Sequence, residues 1–103
     1  MANHVVADVA PEFRVVDVLF GLPCVERVWL FGSRARGDNL RRSDLDIAVE
    51  ASGADAVAWD RIAQAVEQTA TLLPIDLVRF DRAPPDLKAK VLAQGRLLHD
   101  GRE

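Results

Sequence analysis

The apolar positions recur with two periods along the chain, and each change of period marks an element. Residues 1–10 carry little pattern and are expected to be loosely ordered, as chain ends commonly are. Pro11 suits a first helical turn, because the N–H it lacks is one that a helix start leaves unpaired. Phe13, Val16, Leu19 and Phe20 then fall on one helical face, and Gly21 and Pro23 end the helix. Residues 25–31 form a short β-branched and aromatic run, which reads as a strand stopped by Gly32. Residues 33–38 read as a turn followed by a short helical piece. Residues 45–50 read as a second strand, broken by Ser52 and Gly53. Over 54–73, Ala58, Ile62, Val66 and Leu73 recur at helical spacing, and Pro74 ends that helix. Residues 75–80 read as a third strand. Pro84 and Pro85 open a last helix carrying Leu87, Val91 and Leu92. Gly95 closes it, and Leu97 and Leu98 supply a short edge strand. This order, α-β-turn-β-α-β-α, fits an α+β fold: a small mixed sheet with helices packed mainly on one face.

Composition narrows the picture. The 103 residues suit one domain spanning 1–103, and with half of them apolar there is material for one core and not two. Charged residues are 28% of the chain and the net charge is −3, which argues against a general nucleic-acid binder while leaving room for a local basic patch. Cys24 is the one cysteine, so no internal disulfide can form, and a reducing, cytoplasmic setting is expected. Its place in a Pro-Cys-Val turn suggests a buried structural thiol and not a catalytic one. No basic segment followed by an apolar run opens the chain, and no apolar stretch has the length of a membrane span, so neither a signal peptide nor a membrane partner is expected. No internal repeat is visible.

The chemistry gathers around three aspartates. Asp44 and Asp46 lie two apart at the second strand, so both point to one face while Leu45, Ile47 and Val49 point to the other. Paired carboxylates repel unless a cation or a shared proton relieves them. Hard oxygen donors of this kind suit Mg²⁺, which completes its shell with phosphate oxygens and water. Asp76 interrupts the apolar run Ile75-Leu77-Val78. If its strand neighbours that of Asp44 and Asp46, it faces the same cleft, and three carboxylates could hold two metal ions about 3.5–4 Å apart. Taken singly, each aspartate is what an ordinary solvated strand end offers.

Upstream, Gly32 and Ser33 stand between a strand and a helical piece. Such a turn lets a phosphate approach the backbone, turns free N–H groups toward it and adds the Ser33 hydroxyl as a donor. It is not a P-loop, since no Gly-Lys-Ser/Thr follows. On its own it is equally an ordinary strand-to-helix turn. Arg34, Arg36, Arg41 and Arg42 cluster between this turn and Asp44, a local positive excess in an acidic chain. Arginine grips phosphate bidentately, and Arg34 and Arg36 are the nucleotide-contact candidates. Arg41 and Arg42 fit a solvated loop equally well.

Together these segments resemble a known family. Leu30-Phe31-Gly32-Ser33-Arg34-Ala35-Arg36-Gly37-Asp38, followed by Ser43-Asp44-Leu45-Asp46-Ile47-Ala48-Val49, is similar to the signature of the minimal nucleotidyltransferases (MNT domains) of the DNA polymerase β-like superfamily: Gly-Ser, a spacer of roughly ten residues, then Asp-x-Asp. Ile75-Asp76-Leu77-Val78 resembles the strand with the third carboxylate, and residues 90–98 resemble the family's closing helix, glycine and short strand. The resemblance runs from about Val25 to Leu98. One departure is His99, where the family often carries a tyrosine. His99 and His4 otherwise read as exposed surface histidines.

The resemblance implies a polymerase β palm-like fold and Mg²⁺-dependent transfer of NMP from an NTP, with ATP as the substrate. Carried onto this chain, Gly32 and Ser33 hold the triphosphate, Asp44 and Asp46 bind metal, and Asp76 joins them and helps activate the acceptor hydroxyl. It also implies a partner, since stand-alone MNT proteins are often antitoxins that transfer AMP to a tyrosine of a HEPN-domain toxin. So short a palm has little room for a deep acceptor pocket, which favours a macromolecular acceptor over a small molecule. Two further readings stand beside this one: a non-catalytic MNT-fold antitoxin acting by occlusion, and a plain α+β structural domain whose acidic cluster is surface charge. The intact set of Gly32, Ser33, Asp44, Asp46 and Asp76 favours the enzyme.

Overall fold

The computed structural model describes residues 11–32, 45–69 and 75–101. Along them run α1 (Pro11–Phe20), β1 (Arg27–Phe31), β2 (Leu45–Glu50), α2 (Ala56–Thr69), β3 (Ile75–Arg79), a 3-10 turn over Phe80–Arg82, α3 (Pro85–Gln94) and β4 (Arg96–Asp100). The expected turn and helical piece after Gly32 lie outside the described residues, as does Leu73 of the expected long helix. Among the described residues no helix is long and apolar enough to cross a membrane.

The strands form one mixed sheet in the order β3-β2-β1-β4. β1 pairs antiparallel with β2 on one side and β4 on the other, and β2 pairs parallel with β3. Parallel neighbours need a long crossover between them, which α2 supplies. Alternation along the strands sorts side chains onto two faces. On one face Val28, Leu30, Leu45, Ile47 and Val49 pack with Val15 and Leu19 of α1 and Ile62 and Val66 of α2. Burying such a side chain contributes about 1.5–3 kcal/mol. The other face is also covered: Trp29, Phe31, Ala48 and Phe80 pack with Val91 of α3. Two helices thus lie on one face and the third on the other, which is why β2 is buried on both sides over its middle.

Several local expectations need correction. Among the described side chains of α1, Val15, outside the expected stripe, is fully buried together with Leu19, and Val16 is half-buried. Phe80 does not end β3 but opens the 3-10 turn, which carries its ring onto Trp29 with centroids 4.4 Å apart. Leu92 does not join Val91 in the core, because it lies one residue around α3 and faces out, 56% exposed. Leu98 of β4 packs on the core while Leu97 is exposed. Trp59 is half-buried against the α1/α2 core, with the Arg79 guanidinium 5.0 Å above its ring. Cys24 is not buried: it is exposed, and it takes a positive φ of 75° in the tight turn between α1 and β1.

Charged side chains close the sheet end where β2 leaves for α2. Arg27 and Glu50 are register partners and pair through two bonds, Nε to Oε1 at 2.6 Å and Nη2 to Oε2 at 3.1 Å. Arg79 donates to the carbonyls of Ala51 and Ala54 at 3.0 and 2.8 Å and to Asp81 at 3.1 Å, while Asp81 accepts the Ala51 N–H at 2.8 Å. Asp55 caps α2 by accepting the Ala58 N–H at 2.8 Å, an arrangement worth about 1 kcal/mol.

Candidate active site

At the opposite end of the sheet the register brings three positions into line. Phe31, the last residue of β1, pairs with Asp46, and Asp46 pairs in parallel register with Asp76. All three belong to the face that α3 covers further along, since Ala48 and Val78, two residues on from the aspartates, pack there with Val91. Neighbouring strands stand about 4.8 Å apart, so the two carboxylates are side by side. Both sit near the start of their strands, where Asp46 is half-buried and Asp76 exposed. Reaching this end of the face leaves them beyond the aromatic cluster of Trp29 and Phe80.

Gly32 follows the end of β1 beside Asp46, with a positive φ of 79°, a conformation glycine adopts without steric cost. Its α-carbon lies against the Asp46 carboxylate: a Cβ added there would overlap Asp46 Oδ2 and come within 3.0 Å of its Cγ. Of the expected site residues, the structure therefore brings together Gly32, Asp46 and Asp76. Ser33, Arg34, Arg36 and Asp44, with Arg41 and Arg42, lie outside the described residues.

The donor set fits a hard divalent cation. Two carboxylates, oxygen-only donors, share one register position, and a bare glycine leaves room for that of Asp46 to sit. Among the described residues there is no group of three metal-binding side chains, the third expected carboxylate being Asp44. Two cavities lined by described residues lie elsewhere. One of about 260 Å³ is lined by residues that include Pro23, Val57 and Arg61. Another of about 250 Å³ lies between α2 and β3, against Val66 and Leu77. Neither contains an aspartate of the register pair.

Sequence reasoning missed the contact between Gly32 and Asp46. No local signal marks it, because it depends on the pairing of β1 with β2. His99, half-buried on β4, stands in register with Val28 and away from the aspartates.

The family described as polymerase β nucleotidyltransferase matches residues 15–103. No protein of curated function matches the chain. Among solved structures, a toxin–antitoxin crystallised with AMP-PNP is 32% identical, with a TM-score of 0.70, over 88% of this chain and 74% of that one. A re-refined structure of a tri-AMPylated Shewanella oneidensis HEPN toxin in complex with an MNT antitoxin gives 28% identity and a TM-score of 0.61, over 87% and 70% of the two chains. A protein described as a minimal nucleotidyltransferase gives 27% and 0.59, over 91% and 92%.

Proposed function

Since the chain belongs to the polymerase β nucleotidyltransferase family, we propose that it transfers AMP from ATP to a hydroxyl of a protein acceptor, a HEPN-domain toxin, and is the antitoxin of that pair. The observation that carries this reading is the register pairing of Asp46 with Asp76, with Gly32 against the Asp46 carboxylate. The solved complexes support its two halves: one of these relatives holds AMP-PNP, and another contains an AMPylated HEPN toxin with its MNT antitoxin.

In this mechanism an acceptor oxygen attacks the α-phosphorus in line. The new O–P bond forms as the bond to the β-phosphate breaks, and pyrophosphate leaves. Asp46, Asp76 and Asp44 would hold Mg²⁺, which would neutralise charge on the triphosphate. Asp76, the exposed member of the register pair, takes the proton from the acceptor hydroxyl. Gly32 and Ser33 seat the triphosphate, and Arg34 and Arg36 clamp its oxygens. Ser33 binds and does not attack. The protein contributes position and charge stabilisation, which is most of what phosphoryl transfer asks of an enzyme.

The test is incubation of the native protein, Asp46→Asn and Asp76→Asn with α-labelled ATP, Mg²⁺ and the co-purified HEPN partner. Label on the partner, with a mass gain of one or more AMP units, is the expected result. Each variant should lose about 100-fold or more in rate while keeping its far-UV circular dichroism. A tight complex with no transfer by the native protein would replace this reading with an occlusion antitoxin.

A further inference from the structure

We propose that Gly32 is a positioning residue for the Asp46 carboxylate, which it seats as a metal ligand, in addition to any part it has in holding phosphate. The inference rests on the metal-dependent reading above and deepens it. Two separate demands meet at Gly32. Its φ of 79° disfavours L side chains, yet asparagine and aspartate tolerate that region at small cost, so backbone conformation alone would not insist on glycine. The second demand does. Any Cβ at this position would overlap Asp46 Oδ2, come within 3.0 Å of Cγ and touch the Asp46 Cβ at 3.4 Å.

The atoms that must give way are the outer atoms of a short side chain. The fold can accommodate that by rotating the carboxylate. Rotation is the damaging outcome, because Asp46 lies in register with Asp76 and a shared cation needs both sets of oxygens aimed at one point. Gly32 thus permits the orientation that Asp46 takes here, by being the one residue type that leaves room for its carboxylate. The arrangement arises from strand pairing: β1 ends at Phe31, which pairs with Asp46, so the next residue along β1 comes up against the Asp46 side chain.

The experiment titrates Mn²⁺ alone, by electron paramagnetic resonance, into the native protein, Gly32→Ala and Gly32→Asn, with kcat and KM for ATP measured on the same samples. Both variants should weaken Mn²⁺ binding by about 10- to 100-fold, as loss of support around a ligand typically does, and kcat should fall. Unchanged Mn²⁺ affinity with a raised KM for ATP would make Gly32 a phosphate cradle only and overturn the proposal. Native protein that binds no Mn²⁺ would overturn the metal reading itself, and this proposal with it. Should Gly32→Ala fail to fold, the double variant Gly32→Ala/Asp46→Ala decides. Recovery of folding shows that the collision with Asp46 was the cause, and continued failure shows that it was the backbone alone.

Discussion

Arg79 is one of the most heavily engaged charged side chains among the described residues. Its guanidinium serves two carbonyls of the β2–α2 loop and the Asp81 carboxylate, and it lies over Trp59. Both members of the ion pair are nearly buried, with 13% and 11% of their side chains exposed. Replacing Arg79 by methionine keeps the stem but strands those acceptors, so Arg79→Met should cost about 3 kcal/mol. A urea denaturation series measures this, and transfer per folded molecule should be unchanged because the aspartates lie at the other end of the sheet. Cys24 gives the opposite case. An L residue at positive φ costs about 1–2 kcal/mol, and the extra chain entropy of glycine takes back about 0.5–1 kcal/mol. Cys24→Gly is therefore expected to stabilise by up to about 1.5 kcal/mol, and Cys24→Ala to change little. Equal thermal midpoints for the two variants would remove strain as the explanation. At this scale the identities of Asp46 and Asp76 as candidates were legible, because a carboxylate among apolar strand residues stands out. The exposure of Cys24 was not, since a turn's conformation is set by the elements it joins.

At the scale of elements, the strand over 45–50 and the start of α1 at Pro11 agree with expectation, because periodicity and proline geometry are local. The departures occur where a neighbour intervenes. β3 stops at Arg79 because Phe80 turns to reach Trp29. Gly95 shows a junction of this kind. It joins α3 to β4 with its N–H donated to the Val91 carbonyl at 2.7 Å, and a Cβ there would overlap that same oxygen and come within 3.4 Å of the Leu30 carbonyl. Its φ of −77° suits any residue, so the requirement for glycine is steric. Backbone atoms cannot rotate away as a side chain can. Gly95→Ala should lose roughly 1–3 kcal/mol, read as a lower chemical-denaturation midpoint. An unchanged midpoint would mean that α3 and β4 separate freely.

Over the whole molecule, the face covered by α1 and α2 carries the larger core, and the α3 face carries the smaller core together with the aspartates. A ligand that bridges Gly32, Asp46 and Asp76 would therefore tie β1, β2 and β3 together at one end of the sheet. Mg²⁺ with AMP-PNP at about 100 times its dissociation constant should add about 2.7 kcal/mol, a rise in thermal midpoint on the order of 10 °C. Asp46→Asn should abolish most of that rise, and a full rise in the variant would remove Asp46 from the binding site. The sequence by itself determined the types of the main helices and strands among the described residues, the acidic and Gly-Ser signature and the family those residues resemble, because each rests on periodicity, backbone preference or spacing within a short stretch. Only the tertiary structure decided that β3 lies parallel beside β2, that Asp46 therefore meets Asp76, that Gly32 comes up against the Asp46 carboxylate, and that the third helix covers the second face. Those contacts join residues far apart in the chain, and their register is chosen by which apolar faces can be buried together.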